Sequence, residues 1–449
     1  MTSGARMKIA VVGSGISGLA AAWLLNRDHE VALYEQARRV GGHSNTVPVE
    51  IEGASVPVDT GFIVFNPSTY PNFVELLRVL GVKSREADMS LAVSLDGGGV
   101  EYSGSGLTGL FAQPSNLVRP RFWRMLADLV RFYRRATRDA RNPAEDDLTL
   151  GVYLAQGGYG AAFRNHHILP MASAIWSAAP AAILDYPAAA FLRFHDNHGL
   201  LRLTGRPIWR TVVGGSQAYV SQMIAPMGDR LRLGAGVERI ERVNGRVVVT
   251  DRRGERDIFD HVVVAAHADD ALTMLVDADP SERASLAAFR YSRNIAVLHT
   301  DESLMPRRRS VWSSWNFIGD SAAPERASVT YWMNRLQSLP TKTNIFVTLN
   351  PTREPRAGSV LCRESYDHPL FDAAAIGAQK RLWSLQGARG AWFCGAHFGA
   401  GFHEDGLQAG LAVAEQLGGV RRPWRVANES SRIALTPVAL APKAAELAA

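Results

Sequence analysis

Cysteine is nearly absent: Cys362 and Cys394 are the only two in 449 residues, far apart in sequence. Neither a disulfide framework nor a cysteine-rich metal site can be built from them, and such usage suits a reducing cytoplasm. Lysine is scarce too, limited to Lys8, Lys83, Lys342, Lys380 and Lys443, so the net charge of +6 comes almost wholly from arginine. That surplus reflects either genome composition or a preference for anionic surfaces. No apolar run can cross a bilayer: the best candidate, residues 169–192, is interrupted by Pro170, Pro180, Pro187 and Asp185. Repeats, zinc-ligand spacing, a Walker motif and interleaved basic and aromatic residues are all missing, so neither a metal centre nor a nucleic-acid partner is expected. No export signal precedes the first strand-like run at Lys8, and the expected location is cytoplasmic.

What is present is a globular composition, 47% hydrophobic and 20% charged, on a chain long enough for two or three compact units. The run Lys8–Val12 reads as a buried parallel strand and leads directly into Gly13-Ser14-Gly15-Ile16-Ser17-Gly18. Strand, glycine turn and helix in this order form a dinucleotide site. Gly13 permits the tight turn, Gly15 lets the backbone approach a pyrophosphate, Gly18 allows close helix contact, and the free N–H groups at Ile16 and Ser17 face the phosphates. A second strand, Val31–Tyr34, ends at Glu35 and Gln36, where an acid binds ribose hydroxyls and disfavours a 2′-phosphate.

Downstream, Arg38-Arg39-Val40-Gly41-Gly42-His43 resembles the second glycine pair that flavin amine oxidases and carotenoid desaturases place beside the FAD pyrophosphate. Those families usually carry a basic residue after Gly-Gly. Here it is His43, which can bind phosphate, titrate near neutral pH or act on substrate. The segments 392–396 and 399–410, with Gly395, Gly406 and Leu407, resemble the loop and helix start that meet the flavin ring in the same families, where free amides would stabilise negative charge on reduced flavin. Val237–Ile240 with Arg246–Thr250 reads as a strand pair beside adenine, and His261–His267 as a later strand of the same unit. With Val58-Asp59-Thr60-Gly61-Phe62, Thr69–Asn72, Asn197–Leu201, Trp209–Ser216, Val347–Pro351 and Phe402–Gly406, these phrases make the chain similar to the flavin-containing amine oxidase and phytoene desaturase superfamily. Within it, the chain resembles a bacterial subgroup related to the N-terminal oxidase domain of plant cyclopropane fatty acid synthases and to acyl desaturases of furan fatty acid synthesis.

The resemblance implies an α/β, Rossmann-like FAD-binding domain with an inserted α+β substrate domain. The expected domains are 7–68, 205–275 and 388–420 for FAD, 69–204 and 276–387 for substrate, with 421–449 a basic, then Ala/Pro-rich, flexible tail. The first insertion reads as helical and the second as sheet-rich, with Val311-Trp312 among its strand-like runs. FAD is expected to be non-covalent, with Gly61, Phe62 and Val237 among its contacts. The implied activity is dehydrogenation of a fatty acyl chain, methylated or phospholipid-bound, beside an S-adenosylmethionine-dependent lipid methyltransferase. Hydride transfer to flavin needs a proton acceptor, for which His43, His198 and His403 are the candidates and Glu404 a second choice. Two alternatives stand: an amine oxidase, for which only Lys342 lies in a plausible region to supply the lysine of those enzymes, and a non-catalytic FAD-binding partner of the methyltransferase. Residues 169–192 either wall an acyl tunnel or form an ordinary buried layer. Arg119–Arg141 reads as a basic amphipathic helix that either lies on an anionic membrane or presents a solvated face.

Overall fold

Five short strands, gathered from positions hundreds of residues apart, form the parallel sheet on which the glycine motifs sit. A computed structural model describes residues 6–141, 148–176 and 180–435. The sheet runs Leu231–Leu233, Glu30–Glu35, Lys8–Val12, His261–Val264 and Ala391–Phe393 in spatial order, all neighbours parallel. Lys8–Val12 lies in the middle, and its residues Ile9, Ala10 and Val11 are fully buried. That explains the unbroken apolar run, since a central parallel strand is covered on both faces. The helices Ile16–Leu25 and His403–Gly418 pack against each other. The hairpin of Val237–Val243 and Arg246–Asp251 extends into a three-stranded antiparallel sheet with Arg256–Phe259.

The second sheet has seven strands in the order Val360–Leu370, Arg290–His299, Phe346–Leu349, Ala323–Trp332, Trp315–Asp320, Leu91–Leu95 and Val100–Ser103. The first insertion is therefore not purely helical: it supplies the last two strands at one end of the sheet, Leu91–Leu95 pairing in parallel with Trp315–Asp320 and antiparallel with the edge strand Val100–Ser103. Their sequence, short and mixed in polarity, gave too little alternation to read as strand. Val311-Trp312 is not a strand; Arg309–Val311 forms a 3₁₀ turn and the Trp312 indole donates to Pro306 O at 2.8 Å. Two β-forming residues do not make a strand without a neighbour to pair with.

Within residues 169–192, the helices Leu169–Trp176, Pro180–Leu184 and the start of Ala188–Asn197 are mostly core, with Ala172, Ile183 and Phe191 almost completely buried. Pro120–Arg141 is one 22-residue helix that buries Phe122, Met125, Phe132 and Tyr133 and leaves most of its arginines exposed. Residues 421–435 are fixed, against the expectation of flexibility: Arg422 is buried, and Trp424 stacks on Trp23 with ring centroids 5.9 Å apart. The remainder of the tail, 436–449, lies outside the described residues.

Candidate active site

The first glycine loop has the shape of a cradle. Gly13 has φ +100° and its N–H donates to Tyr34 O at 2.8 Å, tying the turn to the neighbouring strand. A Cβ on Gly18 would lie 1.9 Å from Gly13 O, so helix and turn can meet only at glycine. A Cβ on Gly15 would meet nothing within 4 Å. That open side is where a pyrophosphate would sit, at the start of the helix beginning at Ile16. The second pair converges on it: a Cβ on Gly42 would lie 3.1 Å from Gly15 Cα, and the Gly41 N–H donates to Ser14 O at 3.0 Å. Glu35 closes the loop by accepting from the Ser14 N–H (2.9 Å) and Ser14 Oγ (2.5 Å) through one oxygen and from the Ala37 N–H (2.8 Å) through the other. Gln36 is exposed beside Gly236, at the start of the strand pair expected near adenine. Arg38 is exposed, and its neighbour Arg39 is the one that donates to Gly42 O, at 2.8 Å.

The distant motif meets the first at glycines. Cβ atoms on Gly406 and Gly410 would lie 2.9 Å from Ile16 Cγ2 and 2.1 Å from Ser17 O, so the two helices cross with their backbones in near contact. The Cys394 N–H donates to Val264 O at 3.1 Å, which places Gly395 at the end of the central sheet. Gly61 presses on His43, where its Cβ would stand 2.3 Å from the carbonyl oxygen, and the Phe62 N–H donates to that oxygen at 2.7 Å. Leu407 is fully buried and Val237 nearly so, both within the apolar core.

The three candidate histidines come together from three parts of the chain but face different neighbours. His43 lies between Tyr366 and His368 of the strand Val360–Leu370, at ring distances of 4.8 and 5.2 Å. Burial, aided by the adjacent His368, pushes its pKa well below the ordinary 6.5. Its Nε2 is buried with no hydrogen-bond partner among the described residues. His403 stacks on Phe62 at 3.7 Å, and its Nε2 is bonded at 2.7 Å to the Tyr219 hydroxyl, itself bonded to Ser44 Oγ. Burial lowers its pKa to about 3. His198, lowered by burial to about 3, bonds through Nδ1 to Phe194 O at 2.9 Å. A carbonyl only accepts, so Nδ1 carries the proton and Nε2, buried and unpartnered among the described residues, presents a lone pair. His195 repeats this arrangement through Phe191 O at 2.8 Å. Around them stand Trp176, Phe194 and Phe402, with Phe194 rings 4.7 Å from both of the others.

The nearby carboxylates are committed to the fold. Glu404, the second-choice base, accepts from the backbone N–H groups of Asn72 and Phe73 (both 3.0 Å) and from the Asn72 and Gln408 amides. It thereby caps the helix Pro71–Leu80. Asp405 accepts from the Phe402 N–H at 2.8 Å and pairs with Arg432. Asp59, raised by burial to about 6, accepts from Thr46 Oγ1, the Ser216 N–H and hydroxyl, and the Gln337 amide at 2.6–2.9 Å. Two of the motifs that carried the resemblance, 58–62 and 209–216, are thus joined by a buried carboxylate. Among the described residues no lysine lies in the site: Lys83, Lys342 and Lys380 are exposed and Lys8 lies over the Phe259 ring; Lys443 is outside the described residues. The residues that sequence reasoning missed are Tyr366, His368 and Tyr219, which lie in strands and helices without any motif of their own.

Residues 16–340 match the family described as flavin containing amine oxidoreductase. AofH of Mycobacterium tuberculosis, a protein named for flavin-containing monoamine oxidase activity, is 31% identical over 258 residues, 56% of this chain and 54% of that one. The chain thus matches about half the length of that curated relative. Among solved structures, putrescine oxidase bound to putrescine superposes with a TM-score of 0.68 over 92% of this chain and 99% of that one, at 16% identity. The CLA-producing fatty acid isomerase of P. acnes superposes at 0.66 over 93% and 99%, also at 16% identity. The cradle and the family match together assign FAD as the cofactor, and the chain belongs to the flavin-containing amine oxidoreductase family.

Proposed function

We propose that this FAD-dependent oxidoreductase dehydrogenates a fatty acyl chain, with a methylated, phospholipid-bound chain as the first substrate to test. The supporting observation is the character of the residues around the histidines. Trp176, Phe194 and Phe402 form an aromatic wall beside His195 and His198, burial disfavours the charged form of His198 and His403, and Glu404, Asp405 and Asp59 are consumed by internal bonds. A cationic substrate would find no free carboxylate beside that wall among the described residues; an uncharged chain needs none. Bound FAD supplies the hydride acceptor. Dehydrogenation also releases a proton from the adjacent carbon, and its C–H electron pair becomes the new double bond. Nε2 of His43 or of His198 is free to accept that proton, whereas Nε2 of His403 is engaged by Tyr219. The aromatic wall would exclude water and align the chain.

The test is anaerobic mixing of the yellow protein with liposomes carrying methylated or unmethylated unsaturated phospholipids. Flavin bleaching with loss of two hydrogens from one lipid is the expected result, and alanine at the true proton acceptor should slow bleaching by at least ~10²-fold while FAD stays bound. A second reading, amine oxidation, draws support from the relation to AofH; bleaching by polyamines or aromatic amines and not by lipid would establish it. Silence with both, together with co-purification of a lipid methyltransferase, would favour a non-catalytic role.

A further inference from the structure

We infer that the exposed face of the Pro120–Arg141 helix, with the segments at its N-terminal end, docks on an anionic phospholipid bilayer. Four apolar side chains project into solvent there: Leu107, Leu117, Val118 and Trp123 are 74, 53, 80 and 49% exposed. They form one lip. The Trp123 indole donates to Leu117 O at 2.9 Å, its ring packs on Phe111 at 5.4 Å, and the Phe111 N–H donates to Leu107 O at 3.0 Å. An exposed group of aliphatic residues with an indole at its edge is what a bilayer interface accepts.

Charge continues from the lip along the helix. Arg121 and Arg124 are exposed at its start, and a shallow hollow of about 450 Å³ further along is lined by Ala127, Val130 and four arginines. Of the helix's arginines, Arg131, Arg135 and Arg138 pair with Asp128 or Asp139, whereas Arg124 and Arg134 have no acidic partner among the described residues. Two other occupants fit less well. A second copy would set one arginine face against another across a two-fold axis. A nucleic acid would use aromatic platforms for bases, and this lip is mainly aliphatic. Phospholipid headgroups answer the arginines while the acyl region takes the lip. This inference rests on the surface alone, so it stands or falls separately from the acyl-chain reading.

Vesicle co-sedimentation tests it. The full-length protein should bind vesicles of phosphatidylglycerol and phosphatidylcholine, but not pure phosphatidylcholine, and binding should weaken at high salt. Leu117→Ser with Val118→Ser, and separately Arg124→Gln with Arg134→Gln, should each weaken binding at least tenfold with unchanged thermal melting. Arg253→Gln with Arg256→Gln, on the adenine-side hairpin, should leave it unchanged. Failure of the wild type to bind, equal binding by both lip and arginine variants, or an equal loss in the hairpin variant would overturn the inference. So would duplex DNA binding as tight as vesicle binding at the same salt, or a dimer broken by the lip substitutions.

Discussion

Gly15 and Gly18 stand three residues apart and are glycine for opposite reasons. Gly15 has an ordinary φ of −64° and open space where a Cβ would point. Gly18 has Gly13 O in that place. Gly15→Val should therefore leave the melting temperature of FAD-free protein unchanged yet abolish FAD retention, read as the ratio of absorbance at 450 and 280 nm. Gly18→Val should lower melting with or without FAD. Retention of FAD by the Gly15 variant would remove the cradle from its assigned place. These two roles were legible in sequence because the spacing that imposes them is local. The settings of His43 and Glu404 were not, since each is decided by residues more than 300 positions away: Tyr366 and His368 enclose the His43 ring, and Asn72 and Phe73 turn Glu404 into a helix cap.

Among the elements, the segment 421–435 departs furthest from its composition. Arg422 donates to both oxygens of Glu415 (2.8 Å each), to Asn72 Oδ1 (2.9 Å) and to Glu429 O (3.0 Å), while the Arg432 guanidinium reaches Asp405 and Thr69 O. The segment is a strap over the start and end of the His403–Gly418 helix. Removing the buried guanidinium leaves Asn72 Oδ1 and Glu429 O without this donor and Glu415 with Arg421 alone, so Arg422→Met should cost about 1–3 kcal/mol in urea unfolding. A loss below ~1 kcal/mol would mean that the strap is dispensable. Its anchors are single arginines and one tryptophan among small residues, without periodicity, so no window of sequence distinguishes it from a tail. The arginine helix was legible for the converse reason: its apolar residues recur at helical spacing over six turns.

For the molecule as a whole, buried histidines set the acid limit of stability. His195, His299 and His368 are lowered to about 4, and His198, His397 and His403 to about 3, all chiefly by burial. The unfolded chain takes up these protons near pH 6.5, whereas the folded protein stays neutral until pH 4 or below. Between those values the unfolded state binds more protons, so stability falls as pH falls from about 6.5 toward 4. Melting temperature should decline across that window, before most carboxylates titrate; a flat profile from pH 7 to 5 would contradict the burial of these rings. The fold class was readable from sequence because both ends carry glycine motifs that only a shared cofactor explains. The seven-stranded sheet was only partly readable, because the two strands at one end of it come from an insertion otherwise rich in helix.

The central sheet takes its strands from residues 8, 30, 231, 261 and 391 onward, and the helix that completes the cradle ends at Gly418. During synthesis, then, Lys8–Val12 emerges together with its neighbour Glu30–Glu35 but long before its other neighbour, His261–Val264. The cradle cannot be completed until the His403–Gly418 helix has left the ribosome, so it forms late in synthesis. Until that moment unpaired strand edges and apolar helices wait in the open, which makes the interval of translation itself the period in which this protein is most exposed to aggregation.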